Sequence, residues 1–147
     1  MKTLILNILL MVPVLGWGQT FEKVVDFNIG LSSLSNPELV RDVADDGRIV
    51  IIEGLLRDII AEKTDTEINI WVTLIGGEWI GTSEVRAYSC RIKFSGNEWQ
   101  KVFAAGDDEN TGYVKPGSRM LVAARVIGIH PEDQVAELEM VDYRVFK

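Results

Sequence analysis

Apolar and polar positions along this chain change their period twice. Between residues 4 and 15 the apolar residues run on nearly unbroken, with Asn7 as the interruption. Between residues 36 and 47 they recur at helical spacing, and from Arg48 onward they alternate. Asn36-Pro37-Glu38 predicts a helix start. Asn caps the first turn, Pro takes the first helical position, where no N–H is missed, and an acid faces the positive end of the helix. Leu39, Val40 and Val43 share one face, and Asp45-Asp46-Gly47 ends the element after two to three turns.

The alternating part predicts strands. Residues 48–60 are rich in β-branched side chains with Gly54 in their midst, and a glycine there marks a bulge or a sharp coil of the sheet. Residues 67–75 follow a polar turn and place Ile68, Ile70, Val72 and Leu74 on one face; Gly76-Gly77 breaks them, and a loop carries Trp79. Residues 84–94 set Tyr88, Cys90, Ile92 and Phe94 inward, with Ala87, Ser89, Arg91 and Lys93 outward. A short strand at 98–103, with Trp99 as packing, precedes an acidic loop at 107–112. Lys115-Pro116-Gly117 turns into a strand at 118–129 with a second internal glycine, Gly128. His130-Pro131-Glu132-Asp133 turns into a last strand at 135–146. Residues 19–35 read as an extended or poorly ordered lead-in. No internal repeat or low-complexity tract interrupts this order.

The fold class is therefore mainly β, a small barrel of five to six strands with a short N-terminal helix. A long first strand kinked at Gly54, the Lys115-Pro116-Gly117-Ser118-Arg119 turn and the following V-x-A-R-V-I-G-I strand together resemble the OB-fold superfamily. The helix running into A-D-D-G-R-I-V-I-I-E-G is similar to that of exported, tRNA-anticodon-like OB domains. The resemblance covers residues 36–147 and implies a partly open, five-stranded Greek-key barrel. It departs at residues 104–113, where OB domains often place a helix and this chain carries an acidic loop. A lipocalin-like or other small closed barrel is the alternative architecture, although lipocalins carry more strands than this chain supplies.

The resemblance also implies a site, because OB domains bind on the outer face of their second and third strands and on the flanking loops. That face would present Asn69, Trp71 and Thr73 from one strand and Ser89, Arg91 and Lys93 from the next, with Trp79 nearby. An aromatic beside two cations is a composition that stacks bases or sugars. Against it stands a plainer reading, in which Trp71 packs on the barrel and the cations balance acids such as Glu67. For Trp79, a lid folded over the barrel mouth is favoured over a reach toward a partner.

Candidate chemistry is otherwise sparse. His130 lacks a nucleophile context and precedes a proline in a turn, so it reads as a surface residue. Asp107-Asp108-Glu109 lacks the spacing of a calcium loop, and no Cys/His cluster or phosphate loop is present. Neither cofactor nor metal is implied, and the chain reads as no enzyme. Cys90 is the single cysteine; it excludes an intramolecular disulfide and should be buried.

Two further features bear on location and partner. Lys2, the apolar run and the Gly16/Gly18 pair predict a signal peptide over residues 1–18, the run being too short to span a bilayer easily. A retained anchor is the alternative. Cleavage leaves 129 residues and a net charge of −8, against −7 for the whole chain. That acidity argues against nucleic acid and anionic membrane surfaces. The expectation is a secreted or periplasmic, non-enzymatic binding or interaction module of the cell envelope or secreted fraction. Its expected partner is another envelope or secreted protein, with a small ligand also possible. An oligosaccharide- or oligonucleotide-binding OB domain is the alternative, and a small hydrolase using His130 the second.

Overall fold

The computed structural model describes residues 24–103 and 114–146. Within them a two-residue strand β1 (Val25–Asp26) is followed by a 3-10 turn (Ser33–Ser35) and helix α1 (Pro37–Asp46). Five longer strands come next: β2 (Ile49–Lys63), β3 (Ile68–Ile80), β4 (Glu84–Phe94), β5 (Arg119–Ile129) and β6 (Ala136–Val145). The predicted signal peptide and the acidic loop at 107–112 lie outside the described residues.

Helix α1 forms as its sequence predicts. The Asn36 side chain accepts from the Glu38 and Leu39 amides, satisfying two donors that a first turn leaves open. Gly47 closes the helix at φ 64°, a left-handed conformation that suits glycine. Between the caps, Val40 and Val43 are fully buried and face β5.

The longer strands close into a ring in the order β2-β3-β4-β6-β5 and back to β2. Strand β2 makes the closure, pairing with β5 through residues 49–55 and with β3 through residues 55–63. Gly54 sits where the partners change. A Cβ there would stand 2.9 Å from the Ile75 carbonyl oxygen and 3.2 Å from the Leu74 Cβ, so the position requires a residue without one. The bulge itself falls at Arg57, between Leu56 and Asp58. Beyond it the inward side switches parity, and Ile59 takes up the core packing of Val50, Ile52 and Leu56. Gly128 likewise sits beside a register shift, where β5 and β6 slip past Ile127. A five-stranded Greek-key ring with a coiled, shared first strand is the OB-type architecture, and the chain's resemblance to that superfamily holds.

Ile70, Val72, Leu74, Cys90, Ile92, Phe94, Met120, Val122 and Leu138 fill the interior without exposed surface. Burial pushes the Cys90 thiol up to about 12. The reactive thiolate is therefore strongly disfavoured in the native protein near neutral pH. Thiol titration should thus show no fast labelling until denaturant is added; labelling of the native protein at the denatured rate would place Cys90 on the other face of β4.

Four expectations change. Residues 98–103 do not form a strand: Asn97–Lys101 is a 3-10 turn, held by Val102 and Phe103 amides donating to the Trp99 carbonyl. Helical spacing brings Trp99 and Phe103 to the same aromatic cluster, around Phe94 and Tyr143. Gly76-Gly77 does not end β3, which runs to Ile80 as a two-stranded ribbon with β4. Within the lead-in, Val25, Ile29, Leu31 and Leu34 are buried, and Arg48 ties β1 to the barrel through a 2.6 Å ion pair with Asp26. Trp79 is 71% exposed near the tip of the ribbon, opposite Val85, so it is not a lid.

Candidate functional site

Antiparallel pairing of β3 with β4, and parallel pairing of β4 with β6, builds a face of cross-strand rows. One row runs Ile60, Trp71, Lys93, Glu139; the next runs Asp58, Thr73, Arg91, Glu137. Opposed side chains in such rows have Cβ atoms about 5 Å apart. Trp71 thus stands beside Lys93, with Arg91 one row along, as the strand alternation requires. The outward side chains are those of odd number on β3 and β4, because the even ones are taken by the core.

Three donors at this face are engaged by carboxylates. The Trp71 indole N–H donates to Glu62 at 2.7 Å, which fixes the ring at the edge of β2. Arg91 makes a two-point contact with Asp133, in which Nη1 donates to Oδ1 at 3.4 Å and Nη2 to Oδ2. Ser95 donates to Glu139 at 3.4 Å.

Asp133 belongs to the turn between β5 and β6, and it is the hub of that turn. It accepts from the Val135 amide at 3.3 Å and lies 3.2 Å from His130 Nδ1. The turn is closed by the His130 amide donating to the Val135 carbonyl and the Gln134 amide donating to the His130 carbonyl. Desolvation pushes the Asp133 carboxyl up, but the Val135 amide, the Arg91 guanidinium and His130 outweigh it and hold the carboxyl below its ordinary value. The pair is therefore complete at neutral pH and is lost only as pH falls through that lowered value.

The seven expected site residues divide into three groups. Trp71, Ser89, Arg91 and Lys93 lie half-buried on the face. Asn69 and Thr73 are on the same side of β3 but are only 3% and 6% exposed. The Asn69 side chain accepts from the Gly96 amide at 3.3 Å, so the turn after β4 occupies it, and Thr73 sits between Asp58 and Arg91. Neither offers a free contact. Trp79 shares the parity of Trp71 but stands eight residues along β3, roughly 26 Å away by strand rise. Sequence reasoning missed Glu62, Asp133 and Glu139. Asp133 was within reach as part of the turn flanking the site, but its pairing with Arg91 spans 42 positions and left no local signal.

A second concavity, of about 330 Å³, lies across the barrel between β1, β2, β5 and β6, lined largely by Val25, Ile49, Ile51, Leu121, Ala123 and Val141. It is apolar and contains none of the expected site residues. No described helix is long and apolar enough to cross a membrane.

No known family pattern matches this chain, and no curated protein matches it either. Solved structures do. A mitochondrial single-stranded DNA-binding protein of S. cerevisiae is 15% identical, with 67% of this chain and 93% of that one covered and a TM-score of 0.43. A Klebsiella pneumoniae lipoprotein described as nucleic acid-binding is 16% identical over 76% of this chain and 78% of its own, with a TM-score of 0.47. A small single-stranded DNA-binding protein of Streptomyces coelicolor is 8% identical over 67% and 91%, with a TM-score of 0.45. The likeness to these structures is one of fold.

Two expectations are corrected by these neighbours. Net acidity was read as an argument against nucleic acid, yet the neighbours are nucleic acid-binding proteins. Net charge averages over a whole surface and does not describe a local patch such as that of Arg91 and Lys93. The expectation of a secreted or periplasmic location is likewise set aside, since the neighbours include a mitochondrial protein and only one of those named is a lipoprotein.

Proposed function

We propose that this chain is a binding module without turnover, and that its β3–β4 face takes a short single-stranded oligonucleotide. The observation that carries the reading is Trp71, an indole pinned at its N–H by Glu62 and flanked by Lys93 and Arg91 on the outer face of the barrel. A ring fixed at one edge loses little freedom when a base stacks on it, and Lys93 beside it can reach an adjoining phosphate. Five carboxylates border the face, those of Asp58, Glu62, Asp133, Glu137 and Glu139, against two cations. Stacking should therefore supply most of the affinity, and binding should be weaker and less salt-dependent than in a basic groove.

Those same carboxylates favour one second reading, a neutral oligosaccharide, whose hydroxyls would donate to Glu62 and Glu139 while a sugar ring lies on Trp71. Calorimetry of the full chain against oligothymidylate and against cellohexaose separates the two. Trp71→Ala should weaken the bound ligand by about 1–3 kcal/mol, and His130→Ala should change it little. Normal binding by Trp71→Ala would move the site away from this face, and loss of binding in His130→Ala would move it to the β5–β6 turn.

A further inference from the structure

Of Arg91 and Lys93, it is Arg91 that forms an ion pair among the described residues, and its partner comes from a different part of the barrel. Asp133 meets the guanidinium with both carboxylate oxygens, as a phosphate would. It also anchors its own turn through the Val135 amide, so the contact fastens the β5–β6 turn to the edge of β4. Neither partner is sealed from water, with side chains 28% and 40% exposed, so the pair can exchange with a ligand. The remaining carboxylate in register with Arg91 is Glu137, on β6.

We propose that Asp133 is the specificity-determining residue of this face. It occupies Arg91 as an internal phosphate mimic and fastens the β5–β6 turn, and an anionic ligand reaches Arg91 only by displacing it. This rests on the oligonucleotide reading of the same site. The exchange swaps one anion on Arg91 for another, so a phosphate at that position gains little, and a ligand is selected by how its base stacks on Trp71. In the apo protein the mimic also blocks loose capture of unrelated polyanions by the exposed guanidinium.

Removing the carboxylate charge while keeping its shape tests this. Asp133→Asn retains an acceptor for the Val135 amide but no longer neutralises Arg91. Oligothymidylate should bind the Asp133→Asn chain about tenfold more tightly at 50 mM salt. Its plot of log K against log salt should be steeper by roughly 0.7, one added phosphate contact on a single strand. Asp133→Asn/Glu137→Gln should gain at least as much. Arg91→Gln should cost the wild type less than about threefold and should erase the gain in the Asp133→Asn background. Unchanged affinity and slope in Asp133→Asn, with Trp71→Ala still weakened, would overturn the mimic alone. A loss of tenfold or more in Arg91→Gln made on the wild type would overturn it too, because Arg91 would then already be serving the ligand. Absence of oligothymidylate binding in every variant and in the wild type would overturn both the mimic and the reading beneath it.

Discussion

Phe94→Ala should destabilise the barrel by about 3–5 kcal/mol, the range for truncating a large buried aromatic. Phe94 has no exposed surface, and its ring is the centre of an edge-to-face cluster. Trp99 lies 5.2 Å away at 72°, Phe103 4.7 Å at 69° and Tyr143 5.6 Å at 79°. These partners come from the 3-10 turn, the segment after it and β6, so one ring ties three parts of the chain to the end of β4. A typical domain holds about 5–15 kcal/mol in all, and the loss would consume a large share of it. Urea unfolding followed by ellipticity should show a lower midpoint with an unchanged slope. A shift worth less than about 1 kcal/mol would mean that the cluster collapses into the vacancy and that the 3-10 turn is only loosely docked. Phe146, 46% exposed, supplies the contrast, because its removal should cost little.

Gly54→Val should have the second-largest effect, about 1–3 kcal/mol by overpacking, read as a fall in melting temperature of roughly 4 °C per kcal/mol. The obstacle is backbone, since a new Cβ would meet the Ile75 carbonyl oxygen at 2.9 Å. That oxygen belongs to β3, paired with β2 from Leu55 onward, and cannot move without opening the ladder. Gly54→Ala should already show part of the loss. An unchanged melting temperature in Gly54→Val would mean that β2 does not pass from one partner to the other at this residue.

Most of the barrel was legible because its signals are local. Asn36, Pro37 and Gly47 delimit a helix within a dozen positions, and alternation at 84–94 gives both the extent of β4 and its buried side. The errors arose where distant contacts overrule local pattern. Residues 98–103 read as a short strand after the Ser95-Gly96-Asn97 turn, but a 3-10 turn puts Trp99 onto Phe94 and Tyr143, and that contact prevails. Gly76-Gly77 reads as a break, yet β4 continues alongside and supplies the pairing that carries β3 on to Ile80. At the site, parity correctly placed Trp71, Arg91 and Lys93 together. Parity says nothing about cover, so Asn69 and Thr73 were counted as surface although Gly96 and the flanking side chains close over them. The acids that occupy the donors come from β2, β6 and the β5–β6 turn, and their neighbourhood exists only once the ring has closed.

That closure has a consequence for how the chain reaches its native state. Residues 49–55 find their partner in residues 119–125, on the order of 70 positions later, and a loop of that length is expensive in entropy before its contacts reward it. During synthesis β2, β3 and β4 can pair while β5 is still unmade. The first half of β2 then presents an open row of amides and carbonyls beside apolar Val50 and Ile52. An open edge of that kind invites pairing with another chain. The finished ring buries this hazard, so the risk of mispairing is confined to the interval before β5 arrives.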